Sequence, residues 1–249
     1  NKNLTTEGII QSKNRHTTVK TRVIGSNHQM LRVDEEVDED ITDSESKELL
    51  NRITEILNNE KIDVIIFEDY DKGLITPALI DKVVSQANQH NIPTAIDPKK
   101  KNFTSYKNVT LFKPNLKELK DGLKMDFDLS NKNELKEVVN SLLSSQNINI
   151  VLLTLSELGI YVSSNKISKT IQGHSRDISD VSGAGDTVIC VAALCLALKL
   201  PPTLIAILAN IAGGLVCEKV GVVPIDKTQF QKEAHANDEV RMTKYESKT

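Results

Sequence analysis

Between residues 42 and 153 the chain switches repeatedly between two hydrophobic periods, and that switching limits the folds open to it. Short apolar runs at 61–67, 93–96, 109–112 and 148–153 read as buried strands. Helical patterns separate them. Thr42-x-x-Glu45 is a capping box followed by Leu49, Leu50, Ile53, Ile56 and Leu57 at helical spacing. Thr76-Pro77 opens a second helix, with Ile80, Val83, Val84 and Ala87 on one face. Asn131-x-x-Glu134 opens a third, through Leu135, Val138, Val139, Leu142 and Leu143. Strands alternating with such helices predict βαβ units: an α/β fold with a mostly parallel sheet and helices on both faces.

In a sheet of that kind, ligands bind beyond the carboxyl ends of the strands. Polar residues gather at those ends: Glu68-Asp69-Tyr70, Asp97-Pro98-Lys99, Lys113-Pro114-Asn115 and Thr154-x-Ser156. Further on, Asp180-Val-Ser-Gly183-Ala184-Gly185-Asp186-Thr187 runs straight into the apolar stretch 188–200. A glycine turn leading into a helix points backbone N–H groups at one spot, where the helix dipole adds positive charge. Such a spot suits a phosphate. Asp186 would repel a phosphate but can take the proton of an alcohol that attacks one, so turn and carboxylate together suggest phosphoryl transfer to a hydroxyl. The plainer alternative is a glycine turn with an ordinary first-turn acid.

Bulk properties exclude more than they suggest. The 249 residues carry 31 Lys plus Arg against 34 Asp plus Glu, a net charge of −3. No basic field points to nucleic acid or to an anionic membrane surface. Cys190, Cys195 and Cys217 lie in apolar helical stretches, with no Cys-x-x-Cys and no metal-ligand spacing among the five histidines. They read as buried thiols of a reduced, cytoplasmic chain. Neither a signal peptide nor an apolar run of about 18 residues is evident.

Residues 15–35 are rich in β-branched positions around Gly25-Ser26-Asn27, which reads as two strands and a turn. One face of these strands is too polar for a core, so they are expected to form a small β lid. Eight acids between Asp34 and Glu45 read as a solvated loop. Residues 159–163 and 169–171 predict a hairpin, and Pro201-Pro202-Thr203 opens a last apolar helix to about residue 219. Residues 1–225 are expected to form one domain, with 226–249 a polar tail or linker.

A resemblance adds to this. The element Asp180-x-x-Gly-Ala-Gly-Asp-Thr, preceded by Pro114-Asn115-x-x-Glu118 and by Thr154-x-x-x-x-Gly159, resembles the ribokinase-like (pfkB) carbohydrate kinases. Within them, Lys20-Thr-Arg-Val, Asn27-x-Gln29-x-x-Arg32-x-Asp34, Asp69-Tyr70-x-Lys72-Gly73 and Ile96-Asp97-Pro98-Lys99 are similar to the branch that phosphorylates D-glycero-D-manno-heptose 7-phosphate at its anomeric hydroxyl for ADP-heptose and lipopolysaccharide core synthesis. The resemblance implies ATP and Mg²⁺ as cofactors, a small sugar phosphate as partner, and a homodimer joined through the lid strands.

Carried onto this chain, it makes Asp186 the base and gives Gly183, Ala184 and Gly185 the anion hole. Asn115, Leu116, Lys117 and Glu118 would serve the nucleotide, with Glu118 reaching the metal through water. Thr154, Ser156 and Gly159 would line the phosphates and ribose, and Asn210 and Gly213 the adenine. Arg32, Asp97 and Lys99 would bind the acceptor, Arg32 and Lys99 at its phosphate. Plainer roles stand beside these: Asn115 as a helix N-cap, Asp97-Pro98 as a strand-ending turn, Lys99-Lys100-Lys101 as a solvated run, and Asn210 as a satisfied core amide.

Two rival functions remain. Gly183-x-Gly185 could open a dinucleotide fingerprint, but Val188 stands at the third glycine position. A non-catalytic, nucleotide-binding ribokinase-like chain is the other, and within the kinases the runner-up acceptor is another sugar or sugar phosphate. The family's opening strand, with its acid and Gly-Gly segment, has no counterpart before Lys20, so the sequence is expected to be an N-terminally incomplete piece, prone to association along an exposed sheet edge.

Overall fold

In a computed structural model, residues 4–25, 28–129, 131–173, 176–237 and 240 are described. The sheet at the centre has six strands: β3 (Ile65–Glu68), β4 (Thr94–Asp97), β5 (Leu111–Phe112), β6 (Ile150–Thr154), β7 (Ile160–Ser164) and β8 (Ser168–Ile171). They lie side by side in chain order, with β3 to β6 parallel and β7 and β8 antiparallel.

Strict alternation along these strands splits the core in two. Ala95, Leu111, Ile150, Leu152, Ile160 and Val162 face one layer, built by α5 (Ala184–Ala197) and α6 (Pro202–Cys217). Their neighbours Ile96, Phe112, Val151, Leu153 and Tyr161 face the other, with α2 (Pro77–Gln89), α3 (Leu116–Leu123) and α4 (Lys132–Gln146). A period of two on a sheet covered on both sides produces this division, and α1 (Asp43–Asn59) packs outside α2.

The helix starts follow local chemistry. Thr42 and Glu45 form the capping box of α1, while the Thr76 and Asn131 side chains cap α2 and α4. Strand β3 is shorter than the apolar run that predicted it, because charged Lys61 and Asp63 pair with each other in solvent (3.2 Å) and pairing with β4 begins only at Ile65. The stretch read as a tail carries a helix, α7 (Lys227–Ala236), capped by Asp226. Its Phe230 packs on the core, and Arg176 ties it to the end of α6 through Glu233 and Glu218. Cys195 and Cys217 are buried as expected, but Cys190 is exposed: it lies one turn after Asp186 on the open face of α5.

Apart from the main sheet, β1 (Val19–Gly25) and β2 (His28–Glu35) form an antiparallel pair. The predicted turn residues Ser26 and Asn27 lie outside the described residues. One face of the pair is apolar, with Val19, Val23, Leu31 and Val33 each about half exposed. Its other face carries Lys20, Arg22, Arg32 and Asp34. The segment leaving β2 is stitched to the loop after β3: Arg15 donates to the carbonyls of Val37, Glu39 and Lys72, and Ile41 N–H donates to Gly73 O (2.9 Å). Gly73, at φ +71°, lies so close to Glu39 that a Cβ there would meet its carbonyl.

Candidate active site

The carboxyl ends of β3, β4, β5 and β6 and the start of α5 converge. Gly183 takes a left-handed conformation (φ 81°), and no side chain caps the helix that follows. The turn is braced from outside. Asp180 accepts from Ser182 N–H (2.9 Å) and Gly221 N–H (3.0 Å), bonds that hold its carboxyl below the usual range. The Thr187 hydroxyl donates back to Gly183 O (2.9 Å). The Ala184 N–H donates to Val181 O (3.2 Å) and would have to leave that bond to meet an anion.

Asp186 sits in the first turn of α5, exposed, with the Tyr70 hydroxyl donating to its Oδ1 at 3.4 Å. Glu68 and Asp97 complete a carboxylate group whose ligand oxygens all lie within 4.8 Å of one another. Burial first, then the charges of Asp97 and Asp186, push the Glu68 carboxyl up to about 7. The same causes, burial foremost, raise the Tyr70 hydroxyl to about 12. Under the turn, Lys113 forms a buried ion pair with Asp97 (3.1 Å). A Cβ on Gly185 would lie 3.6 Å from Lys113 Nζ and 3.9 Å from Asp97 Oδ2, so the glycine turn rests on this pair. Asp97 also lies 3.6 Å from Lys99, whose ammonium is bonded to Glu118.

Asn115 is the N-cap of α3. Its Oδ1 accepts from Glu118 N–H (2.8 Å), and Glu118 Oε2 accepts from Asn115 N–H (2.8 Å). The plainer role assigned to Asn115 is therefore real, and both Glu118 oxygens are engaged. Beside the cap, Thr154 N–H donates to Pro114 O (3.0 Å). A series of contacts thus links Thr154, Asn115, Glu118, Lys99, Asp97 and Lys113, which lies under Gly185, the residue before Asp186. Leu116 is partly buried against the core, and Lys117 is exposed.

A second group adjoins the first. Ser156 (φ +53°) and Gly159 (φ +93°) shape the tight link between β6 and β7, where a Cβ on Gly159 would collide with the backbone of Gly173. Asn210 donates to Gln172 O (2.8 Å) beside it. Gly213 lets α6 approach α5, since a Cβ would fall 2.7 Å from Val188 Cγ2. Arg32 is brought to neither group: it lies on β2, half exposed, paired with Asp34 at 3.0 Å.

Sequence reasoning assigned no role to Glu68, Tyr70 or Lys113, although each stands at a strand end it had marked as polar. Asp69 in the same stretch is structural. Buried, it accepts from Asn102 (2.9 Å), Tyr106 (2.8 Å) and Asp71 N–H (2.9 Å), which fixes the loop that carries Tyr70.

The fold is a ribokinase-like α/β fold, with an uncapped glycine turn and a carboxylate at the carboxyl edge of its sheet. The chain shares this fold with phosphofructokinase-2 from Escherichia coli, solved in complex with potassium (TM-score 0.74, 16% identity, 88% of this chain and 69% of that one). It shares it also with Arabidopsis thaliana ribokinase complexed with ribose and ATP (TM-score 0.66, 16% identity, 88% and 69%). Residues 1–228 match the pfkB family carbohydrate kinases, and the chain belongs to that family. A curated relative, the bifunctional protein HldE of Koribacter versatilis, is 34% identical over 214 residues, covering 86% of this chain and 43% of that protein. The chain spans about half the length of the curated relatives it matches. Among the described residues no helix is long and apolar enough to cross a membrane.

Proposed function

We propose that the chain carries the machinery for ATP-dependent phosphorylation of a sugar-phosphate hydroxyl, with D-glycero-D-manno-heptose 7-phosphate as acceptor and its 1,7-bisphosphate as product, in ADP-heptose synthesis. One observation carries this reading: the uncapped turn at Gly183 sets Asp186 beside a cavity of about 400 Å³ lined by Thr18, Lys20, Glu68, Asp69, Tyr70, Lys72, Leu74 and Ile75. Asp186 accepts the proton of the acceptor hydroxyl as its oxygen attacks the terminal phosphorus of ATP and ADP leaves. The free N–H groups of the turn and the positive end of α5 stabilise charge on the transferring group.

Glu68 and Asp97, grouped with Asp186, offer only oxygens, the donors a hard divalent cation such as Mg²⁺ takes, and Asp186 would stay free of the ion as the base. Glu118, engaged at both oxygens, would reach one only through water. The ion would neutralise phosphate charge. Thr154, Ser156, Gly159, Asn210 and Gly213 form the proposed nucleotide side. The half-exposed apolar face of Val19, Val23, Leu31 and Val33 supports a homodimer through the lid strands. Three free cysteines suit the cytoplasm.

The test is ADP release with heptose 7-phosphate and Mg-ATP, in the parent chain and in Asp186→Asn. Acceptor-dependent turnover that falls by about 10²–10⁴ in the variant, with nucleotide affinity little changed, supports the reading. Nucleotide binding with no turnover favours the non-catalytic alternative, and β3, an edge strand with Ile66 37% exposed, is the observation on that side.

A further inference from the structure

Acids and bases both line the 400 Å³ cavity. Glu68 and Tyr70 connect it to Asp186. Two lysines from different elements also line it: Lys20 from lid strand β1 and Lys72 from the loop after β3, with the Thr18 hydroxyl nearby. Leu74 and Ile75 form its apolar wall. We infer that Lys20 and Lys72 form the subsite for a phosphomonoester on the acceptor, and so orient the acceptor with its reacting hydroxyl at Asp186. This rests on the phosphoryl-transfer reading above.

Each lysine stands by an acid from β2 or the residue just after it. Lys72 is paired with Glu36, whose Oε2 is buried with no hydrogen-bond partner, and Lys20 stands across from Asp34 in the β1–β2 register. A phosphate dianion brings two charges to two ammonium groups, a point-charge recognition that suits lysine. The grouped carboxylates Glu68, Asp97 and Asp186 repel the same dianion, which favours placing the acceptor's phosphate at the lysines and its hydroxyl at Asp186. The cations expected to do this, Arg32 and Lys99, are not among the residues that line the cavity. ATP is the other possible source of phosphate, but its proposed residues, Thr154, Ser156 and Gly159, lie on the β6–β7 side of Asp186 and do not line this cavity.

Calorimetric titration with D-glycero-D-manno-heptose 7-phosphate, with the same heptose lacking phosphate, and separately with ATP tests the assignment. The parent chain should prefer the phosphorylated sugar by tenfold or more. Lys20→Ala/Lys72→Ala should lose that preference while keeping its affinity for the plain heptose and for ATP, and Lys20→Arg/Lys72→Arg should recover most of it. Equal binding of both sugars by the parent, binding of neither, or a preference that survives in the alanine variant would overturn the proposal, as would a loss of ATP affinity in place of sugar-phosphate affinity. The two readings fail separately. Turnover that ignores the acceptor's phosphate overturns the subsite and leaves the kinase standing, whereas lysine-dependent sugar-phosphate binding without turnover does the reverse.

Discussion

Two helices start at the carboxyl edge of the sheet, and they start differently. Helix α3 closes its own end: Asn115 and Glu118 satisfy each other's backbone N–H groups, and Lys99 takes the remaining Glu118 oxygen. Helix α5 has no side-chain cap, and its turn is held by Asp180, which precedes the helix, and by the Thr187 hydroxyl from within its first turn. The closed end spends its polar groups on stability. By contrast, the open end leaves the Gly185 and Asp186 N–H groups without a side-chain cap, above a buried Lys113–Asp97 pair and beside the exposed Asp186 carboxylate. On the proposed function, one family motif would therefore hold two kinds of residue, those that build the site and those that meet the ligand, and capping geometry would separate them.

That contrast can be broken at three places. The largest effect is expected at the open end. Gly185 has no positive φ, and a Cβ there makes only ordinary contacts, so Gly185→Val should fold, as judged by circular dichroism and thermal melting. Its branched side chain would crowd Lys113 and Asp97 and displace the turn, lowering turnover by roughly 10². Normal turnover in that variant would make the turn structural.

At the closed end the effect should fall on stability. Asn115→Ala removes a cap and should cost about 1 kcal/mol, a fall in Tm of roughly 2–4 °C for a chain of this size. Asn115→Asp should restore most of it. An unchanged melting temperature with lost turnover would assign Asn115 to the ligand instead.

The smallest effect concerns Glu68, in front of the open end. Its carboxyl is raised to about 7, so the folded state holds the proton more tightly than the unfolded chain. The stability this contributes is complete below about pH 4.5 and is lost as pH rises through 7. Glu68→Gln should therefore gain in Tm relative to the parent between pH 4.5 and 7, with the difference level at higher pH. A difference independent of pH would mean that Glu68 is not desolvated as its position implies.

Much of this was legible in the sequence because the signals are local. The caps at Thr42, Thr76 and Asn131 each involve a side chain and a backbone group within three residues, so composition and spacing reveal them. The doubly covered sheet followed from two hydrophobic periods. What escaped depends on contacts distant in the chain. Lys113 is buried only because Asp97, on a neighbouring strand, pairs with it under the turn. Tyr70 reaches Asp186 across 116 residues of sequence. Cys190 looked buried inside an apolar run, yet it lies on an exposed face of α5, as does Leu194, 64% exposed. Lys20 and Lys72 share a cavity only once the lid is placed over the β3 loop.

The central claim is that the open end of α5, and not the closed end of α3, receives the transferring phosphoryl group. Amide proton and nitrogen shifts of the Mg-ADP-bound chain, recorded before and after aluminium fluoride is added as a mimic of that group, test it directly. The Gly185 and Asp186 amides should move at the fluoride step, while the Glu118 amide, already bonded to Asn115 Oδ1, should not. Movement of Glu118 with Gly185 and Asp186 unchanged would contradict the account.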